Sequence, residues 1–406
     1  MEECRQPAPG AGESRRQAVW PVFVTRATAT AFTLGAALFP AALAQASGQS
    51  QSPVNAGSGW LDTLARVQSR TLGLPGVGVT VVRNGVPVFV RAYGTRDIRD
   101  VSTTVGVSTP FNIASLSKSF TATVALQLVT EGKLALDAPA RRYLTWLPAH
   151  YAAITVRQLL THTSGIVRDV RRSNEDDPSA DEFRRRVVAS EPAAQPGARY
   201  EYSNVGFTAL GWVIEAVERA PRESVLERRI FGPLGMTDAR YREPLRATPR
   251  RALPHNVLDG KPHPVTYVTG GFGSGGISLS TNDLSKFALA LQAGSLLSGT
   301  WRDSSWARAR LAGGNASMTM MFGDTAHYGF GWFVAKYRSR RVITHGGGIN
   351  GYSTMLLHFP AEQLTVAVIA NARAPVEPIV RAIADRCLES GECLPPRTPL
   401  PRQEPK

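Results

Sequence analysis

The chain has 406 residues, of which 43% are hydrophobic and 19% charged, so it is long enough for one large domain or two ordinary ones and too apolar to be largely disordered. Its 46 basic residues exceed its 32 acidic residues by 14, and only six of the 46 are lysines. A charge of this sign fits an anionic partner, but no zinc-finger spacing, RNP-type motif or basic zipper accompanies it. The sequence therefore argues against nucleic-acid binding.

The N-terminal region has the features of a secretory signal peptide. Residues 27–44 form an uncharged apolar run after Arg26, with small residues at its end that suit a signal peptidase. Pro40 interrupts the run and a polar stretch follows, which favours a cleaved signal over a spanning helix. We predict a signal peptide over 1–44, a flexible linker over 45–58 and an exported (periplasmic or secreted) protein with no membrane span after cleavage. A translation start near Val22 or Val24 is an alternative to the long N-terminal region.

The cysteines and histidines indicate no metal site. Cleavage would leave only Cys387 and Cys393, and two interpretations stay open for them: a small-loop disulfide, or two free thiols near the C-terminus. The seven histidines form no HxH or HExxH pattern, and no CxxC is present. We expect neither a metal nor a cofactor.

One continuous folded domain is predicted over 59–393, followed by a Pro-rich tail over 394–406. Hydrophobic periodicity predicts helices over 60–72, 117–131, 204–219, 283–292 and 375–387. Apolar, β-branched runs predict strands over 77–82, 86–92, 341–344, 352–359 and 364–370. Asn84-Gly85 joins the first two strands with the dipeptide that a two-residue hairpin prefers. Because strands lie at both ends and helices between them, we predict an α+β fold with an antiparallel sheet built from both termini and a helical insertion.

Ser115-Leu116-Ser117-Lys118 is the first segment that carries chemistry. If Ser115 begins a helix, Lys118 lies one turn later on the same face, within reach of the serine hydroxyl. That hydroxyl is a weak nucleophile and needs a base, which a lysine can supply when burial or a cationic neighbour lowers its pKa. A helix start also offers a backbone N–H to a developing oxyanion. Taken alone, this spacing often arises by chance at an ordinary helix start with a surface lysine.

Five further segments follow the serine and lysine in order along the chain. They are LLTHTSGI (159–166), YSN (202–204), GGFGSGGISLSTNDLSKF (270–287), YGFGW (328–332) and THGGGINGYST (344–354). With these segments the chain resembles the serine β-lactamase and penicillin-binding-protein superfamily, in its class C β-lactamase-like branch. That branch includes D-alanyl-D-alanine carboxypeptidases, D-aminopeptidases, family VIII-type esterases and the mitochondrial β-lactamase-like protein. The resemblance implies a β-lactamase/transpeptidase-like fold and a serine hydrolase.

The resemblance also implies a role for each residue that matches a family motif. Ser115 would be the acylated nucleophile, Lys118 would deprotonate it alone or with Tyr202, and Tyr202 would shuttle protons to the leaving group and for the attacking water. The implied substrate-binding residues are Asn204, His345, Gly347 and Gly348. Asn204 would bind a substrate amide and help to hold Lys118. The backbone N–H groups of Ser115 and Gly348 would form the oxyanion hole.

Two positions depart from the β-lactamase pattern. His345 and Gly346 stand where β-lactamases have a lysine and a threonine that bind the substrate carboxylate. A histidine is mostly neutral at pH 7 and would give weaker, pH-sensitive carboxylate recognition. These changes favour a peptidase or esterase acting on a peptide or small-molecule substrate over a dedicated class C-type β-lactamase, which remains the alternative.

Several single features of the sequence also allow other interpretations. HGGG also occurs in α/β-hydrolases, but those enzymes need a G-x-S-x-G nucleophile turn, which this chain lacks. His162 suits a structural role in its loop better than a general base. The arginines at 184–186 and 242–251 fit either contact with anionic cell-envelope polymers or a solvated face. A non-catalytic scaffold or binding protein with the same fold is the alternative of another class. The oligomeric state is not readable from the sequence.

Overall fold

The computed structural model describes residues 59–297, 299–306, 309–313, 319–390 and 393. The predicted signal peptide, the linker and the Pro-rich tail lie outside these residues. In the described part, no helix is both long and apolar enough to span a membrane.

A nine-stranded antiparallel sheet forms the centre of the molecule, in the order β3-β2-β1-β14-β13-β12-β11-β10-β9. Its strands are β1 (Gly76–Arg83), β2 (Val86–Asp97), β3 (Asp100–Thr104), β9 (Thr319–Met321), β10 (Asp324–Tyr328), β11 (Phe333–Tyr337), β12 (Arg340–Ile349), β13 (Tyr352–Phe359) and β14 (Leu364–Ala370). Val77 of β1 pairs with Ala370 of β14, so the two ends of the domain meet in the middle of the sheet. This confirms the fold class and the prediction of a sheet assembled from both termini.

The central strands are buried on both faces. Every residue of β13 and β14 is buried, which explains why both read as continuous apolar runs rather than as alternating ones. The helices are α1 (Gly59–Thr71), α2 (Ser117–Thr130), α3 (Val156–Leu160), α4 (Ala180–Val188), α5 (Asn204–Glu218), α6 (Arg222–Leu226), α7 (Gly232–Leu234), α8 (Thr281–Ala293), α9 (Gly299–Ser305) and α10 (Glu377–Glu389). Helix α8 packs on β1, β2 and β14, while α1 and α10 pack against each other and against the same sheet.

Two small sheets complete the described fold. One pairs β15 (Ala372–Arg373), β6 (His255–Leu258) and β7 (Lys261–Pro264), and the other pairs β4 (Phe111–Asn112), β8 (Ile277–Leu279) and β5 (Arg240–Tyr241). The second sheet matters for the site because β4 leads directly into the segment that carries Ser115. Neither small sheet was predicted, since strands of two to four residues carry no period long enough to detect.

The predicted helices and strands appear within a few residues of their expected bounds, and the hairpin turn is confirmed. Asn84 and Gly85 have φ values of 51° and 71°, the left-handed conformation that such a turn requires. The sulfurs of Cys387 and Cys393 are bonded to each other, which decides between the two interpretations of this pair. Each arginine of 184–186 pairs with a nearby carboxylate: Arg184 with Asp181, Arg185 with Glu182, and Arg186 with Asp176.

Candidate active site

Ser115 lies in a tight turn just before α2, which begins at Ser117 as the sequence predicted. Residues 114–116 form a 3₁₀ turn between β4 and α2, and α2 begins at Ser117. The preceding residue, Ala114, has a φ of 48°, which is strained for a residue with a Cβ. The Asn112 side-chain oxygen accepts a hydrogen bond from the Ala114 N–H at 2.9 Å and so helps to hold this turn.

The Lys118 side chain is fully buried and its amine contacts Ser115. Its Nζ lies 3.1 Å from Ser115 Oγ, 2.9 Å from Asn204 Oδ1 and 2.8 Å from the Ser274 carbonyl oxygen. Burial lowers the pKa of Lys118 well below its usual value, although the charge of Asp169 opposes the shift. A neutral amine is the form that can accept a proton from the serine hydroxyl.

Tyr202 lies over the lysine, within reach of the same serine. The Lys118 Nζ is 4.7 Å from the centre of the Tyr202 ring, and the phenol lies near the Ser115 hydroxyl. Burial raises the pKa of Tyr202, an effect that the nearby Ser115 hydroxyl only partly offsets. Tyr202 therefore holds its proton at neutral pH, and of the two groups Lys118 is the one suited to deprotonate Ser115.

Asn204 joins Lys118 to a carboxylate that the sequence analysis missed. Its Oδ1 accepts from Lys118, and its Nδ2 donates to Asp169 Oδ2 at 2.7 Å. Asp169 comes from the segment after α3, three residues beyond the LLTHTSGI motif, and it also pairs with Arg171 at 2.7 Å. Nothing periodic marks Asp169 in the sequence, since it lies in a loop.

His162 supports the Tyr202 segment and forms no hydrogen bond with Ser115 or Lys118. Its Nδ1 accepts a hydrogen bond from the Ser203 backbone N–H at 3.0 Å, and its ring packs 4.3 Å from that of Tyr202. Burial lowers the pKa of His162 well below its usual value. The geometry thus agrees with the structural role expected of this histidine.

His345 has no free nitrogen for a substrate carboxylate, contrary to the expectation from the sequence. Its Nδ1 donates to the Gly346 carbonyl oxygen at 2.6 Å, and its Nε2 is therefore the acceptor for the Tyr328 hydroxyl at 3.2 Å. Burial lowers the pKa of His345 to about 3, although the bond to Gly346 opposes this shift. His345 is therefore neutral and belongs to the wall of the site.

Strand β12 passes beside Ser115 with one edge open. Its pairing with β11 ends at Thr344, so on that side residues 345–349 have no strand partner in the described chain. A Cβ on Gly347 would lie 2.2 Å from the Ile113 carbonyl oxygen and 3.1 Å from the Ser115 nitrogen. Only a glycine at position 347 allows β12 to approach the 114–116 turn this closely.

We expect Gly347→Ala to disturb the site and Gly346→Ala to serve as its control. The new methyl group at 347 would meet backbone atoms, which cannot rotate away, so we expect a loss of about 1–3 kcal/mol in unfolding free energy and loss of Ser115 reactivity. At Gly346 the nearest atom would be the flexible Met355 Sδ at 3.3 Å, so the melting temperature should stay near that of the wild type. Calorimetry of both variants measures the difference, and equal destabilisation would contradict the prediction.

Gly348 faces an arginine from another part of the fold. A Cβ on Gly348 would stand 1.5 Å from Arg373 Nη1, so the guanidinium covers this glycine. Arg373 is exposed, and within the described ranges no carboxylate pairs with it.

The described ranges contain no group of three or more His, Cys, Asp or Glu side chains that could hold a metal ion.

The arrangement has the features of one known enzyme family. The sequence model of the Beta-lactamase family matches residues 61–388, a stretch that contains every residue of the candidate site. The chain belongs to the Beta-lactamase family.

Curated relatives and solved structures agree with this membership. The chain is similar to Protein flp of Staphylococcus aureus (strain COL), with 24% identity over 332 residues, covering 78% of this chain and 64% of that protein. It is also 27% identical over 294 residues to Penicillin-binding protein 4* of Bacillus subtilis (strain 168), covering 66% of this chain and 62% of that protein. The chain thus spans less than two thirds of the length of these relatives.

The fold is shared with solved members of the family. The β-lactamase/D-alanine carboxypeptidase from Pseudomonas syringae superposes with a TM-score of 0.68 at 20% identity, over 82% of this chain and 99% of that one. At this level of identity the match establishes the fold, and the family and its relatives support a serine hydrolase kind of protein.

Proposed function

We propose that this chain is a serine hydrolase that cleaves an amide or ester through an acyl-enzyme on Ser115. The observation that carries the proposal is the buried Lys118 amine, 3.1 Å from the Ser115 hydroxyl oxygen. Burying a lysine is energetically costly and favours its uncharged form, which is the form that can act as a base toward a neighbouring serine. The non-catalytic scaffold has no comparable support, since a scaffold needs neither this contact nor the desolvated amine.

Acylation begins with transfer of the Ser115 hydroxyl proton to Lys118 Nζ. The oxygen attacks the carbonyl carbon of the substrate, and the resulting oxyanion is bound by the backbone N–H groups of Ser115 and Gly348. The Ser115 N–H is free for this purpose, because no acceptor among the described residues hydrogen-bonds it. Such preorganised donors typically contribute about 10²- to 10³-fold to the rate.

Tyr202 completes the proton transfers. Because its phenol is protonated and lies beside Ser115 and Lys118, it is placed to give a proton to the departing amine or alkoxide and to recover one from Lys118. Collapse of the tetrahedral intermediate breaks the bond to the leaving group and leaves the acyl group on Ser115 Oγ. Water then attacks the acyl carbon, loses a proton to the same groups, and releases the acid and the serine hydroxyl.

Arg373 suggests what the leaving group carries. His345 is neutral and fully hydrogen-bonded, whereas Arg373 is an exposed cation beside Gly348 of β12 and has no carboxylate partner in the described chain. A guanidinium binds a carboxylate through two parallel hydrogen bonds. We therefore include in the proposal a substrate with a free carboxylate next to the scissile bond, as at the C-terminus of a peptide.

A labelling experiment and a substrate panel test the proposal. A fluorophosphonate probe should modify Ser115, identified by mass spectrometry of the tryptic peptide, and absence of the label in folded protein would favour the scaffold. The panel compares D-alanyl-D-alanine peptides, D-amino acid anilides, p-nitrophenyl esters and a chromogenic cephalosporin. A dominant cephalosporin rate would identify a dedicated β-lactamase instead.

We expect Arg373→Gln to weaken binding only of carboxylated substrates. Loss of a charge-assisted hydrogen bond should raise KM about 10-fold or more for a peptide with a free C-terminus. The same peptide with a C-terminal carboxamide should show no change on substitution. Arg70→Gln, which removes an exposed arginine from α1, is the charge-matched control. Equal KM changes for both peptides would exclude Arg373 as the carboxylate contact.

A further inference from the structure

Asp169 is surrounded by donors on every side. Its Oδ1 accepts from the backbone N–H groups of Val170 and Arg171 at 2.9 and 3.0 Å. Its Oδ2 accepts from Arg171 Nη2 and from Asn204 Nδ2, both at 2.7 Å. Although burial favours its protonated form, these bonds and the charge of Arg171 hold the pKa of Asp169 below its usual value. Asp169 is therefore an ionised group that can only accept hydrogen bonds.

An acceptor-only neighbour fixes the orientation of an amide. Asn204 can turn its oxygen or its nitrogen toward Lys118, and the two arrangements differ by a rotation of the terminal amide. Because Asp169 can bind only the nitrogen, it turns the Asn204 oxygen toward Lys118 Nζ, where it is found at 2.9 Å. We propose that Asp169 is a positioning residue that acts on Lys118 through Asn204. This inference rests on the proposed function, in which Lys118 is the base.

The orientation of Asn204 decides where the lone pair of Lys118 points. A neutral amine has two N–H donors and one lone pair. Asn204 Oδ1 and the Ser274 carbonyl oxygen can only accept, so they take the two N–H groups. The lone pair is then left for the third neighbour, the Ser115 hydroxyl at 3.1 Å. With Asn204 turned around, its N–H groups would compete with Ser115 for that lone pair.

Asp169 also acts on Lys118 through its charge. The charged and titratable side chains that face the lysine are Arg168, Asp169, Arg171, His162, Tyr202 and His345. The two histidines and the tyrosine are neutral at pH 7, as described above, so the three residues of the 168–171 segment set the balance. Asp169 raises the pKa of Lys118, whereas Arg168 and Arg171 lower it. Removing the charge of Asp169 should therefore lower the pKa of Lys118, and removing the charge of Arg171 should raise it.

The test is the pH dependence of Ser115 modification by a fluorophosphonate. In the wild type, the second-order rate constant should fall on the acid side as Lys118 becomes protonated. In Asp169→Asn, that midpoint should move to lower pH because a charge that favours protonated Lys118 is lost. The plateau rate should fall about 10-fold or more, because Asn204 is no longer held in one orientation. A merely structural role for Asp169 would lower the rate at every pH and leave the midpoint in place.

Arg171→Gln is the second variant and keeps the carboxylate of Asp169. Its midpoint should move to higher pH, because a charge that opposes protonated Lys118 is lost. Opposite shifts in the two variants support the inference, and if Asp169→Asn does not fold, the upward shift in Arg171→Gln tests it alone. If Ser115 is labelled but the midpoint is the same in the wild type and in both variants, this inference is overturned and the proposed function is not. No labelling of the wild type at any pH overturns the proposed function and this inference with it.

Discussion

Ser115→Ala is expected to abolish turnover while leaving the fold intact. The Ser115 hydroxyl contacts Lys118 and Tyr202, and no bond of the core depends on it. Removal of a serine nucleophile typically costs about four orders of magnitude or more in kcat. The measurement is steady-state hydrolysis of the best substrate in the panel, together with thermal unfolding of the variant.

The matched control is another serine of the same region. Ser119 is buried in α2, and its hydroxyl donates to the Leu116 carbonyl oxygen at 2.7 Å. Ser119→Ala should keep fluorophosphonate labelling, whereas Ser115→Ala should lose it completely. Retention of hydrolysis by Ser115→Ala would show that the acyl-enzyme forms elsewhere or not at all.

Lys118→Met is expected to lower the rate of acylation by roughly three orders of magnitude, within the range typical of losing a general base. Methionine fills the same buried space but cannot accept a proton. Lys118→Arg should fail as well, because a guanidinium stays protonated at every pH that the protein survives. Lys133→Met, at a lysine with 53% of its side chain exposed, is the control for the same substitution away from the site. Equal rates in Lys118→Met and wild type would exclude the lysine as the base.

The stability of Lys118→Met adds a second measurement with a defined sign. The folded wild type holds Lys118 neutral, because burial lowers its pKa, whereas the unfolded chain binds a proton there below the usual lysine pKa of about 10.4. The free energy of unfolding of the wild type should therefore rise with pH, relative to the variant, up to that value. Urea titrations at pH 7 and pH 9 measure the slope. An equal difference at both pH values would mean that Lys118 is charged in the folded protein.

The sequence predicted those features that repeat along one segment. The helices and the long strands have apolar residues at regular spacing, and their burial in the sheet follows from it. Ser115 and Lys118 are three positions apart, and this spacing brings them within 3.1 Å although the first lies in a 3₁₀ turn. Local spacing was therefore enough to bring the nucleophile and the base together.

The remaining parts of the site depend on contacts between distant segments. The strained turn at Ala114 arises because Asn112 and the closely packed Gly347 fix the backbone around it. Two partners of the site, Asp169 and Ser274, lie in loops and match no periodic pattern. The burial of His345 likewise depends on Tyr328. No single segment of the sequence contains these interactions.

The pairing of β1 with β14 has a consequence for how the molecule is made. Val77 meets Ala370 only after nearly the whole domain has left the ribosome, and closing such a long loop is entropically costly and slow. Ser115 and Lys118 are synthesised early, but the strand that lies beside them, β12, comes from residues 340–349. The growing chain therefore contains Ser115 and Lys118 for most of its synthesis before β12, the strand that lies beside them, has been made. With the proposed function, we expect hydrolytic activity to arise only late, once the C-terminal strands have inserted into the sheet.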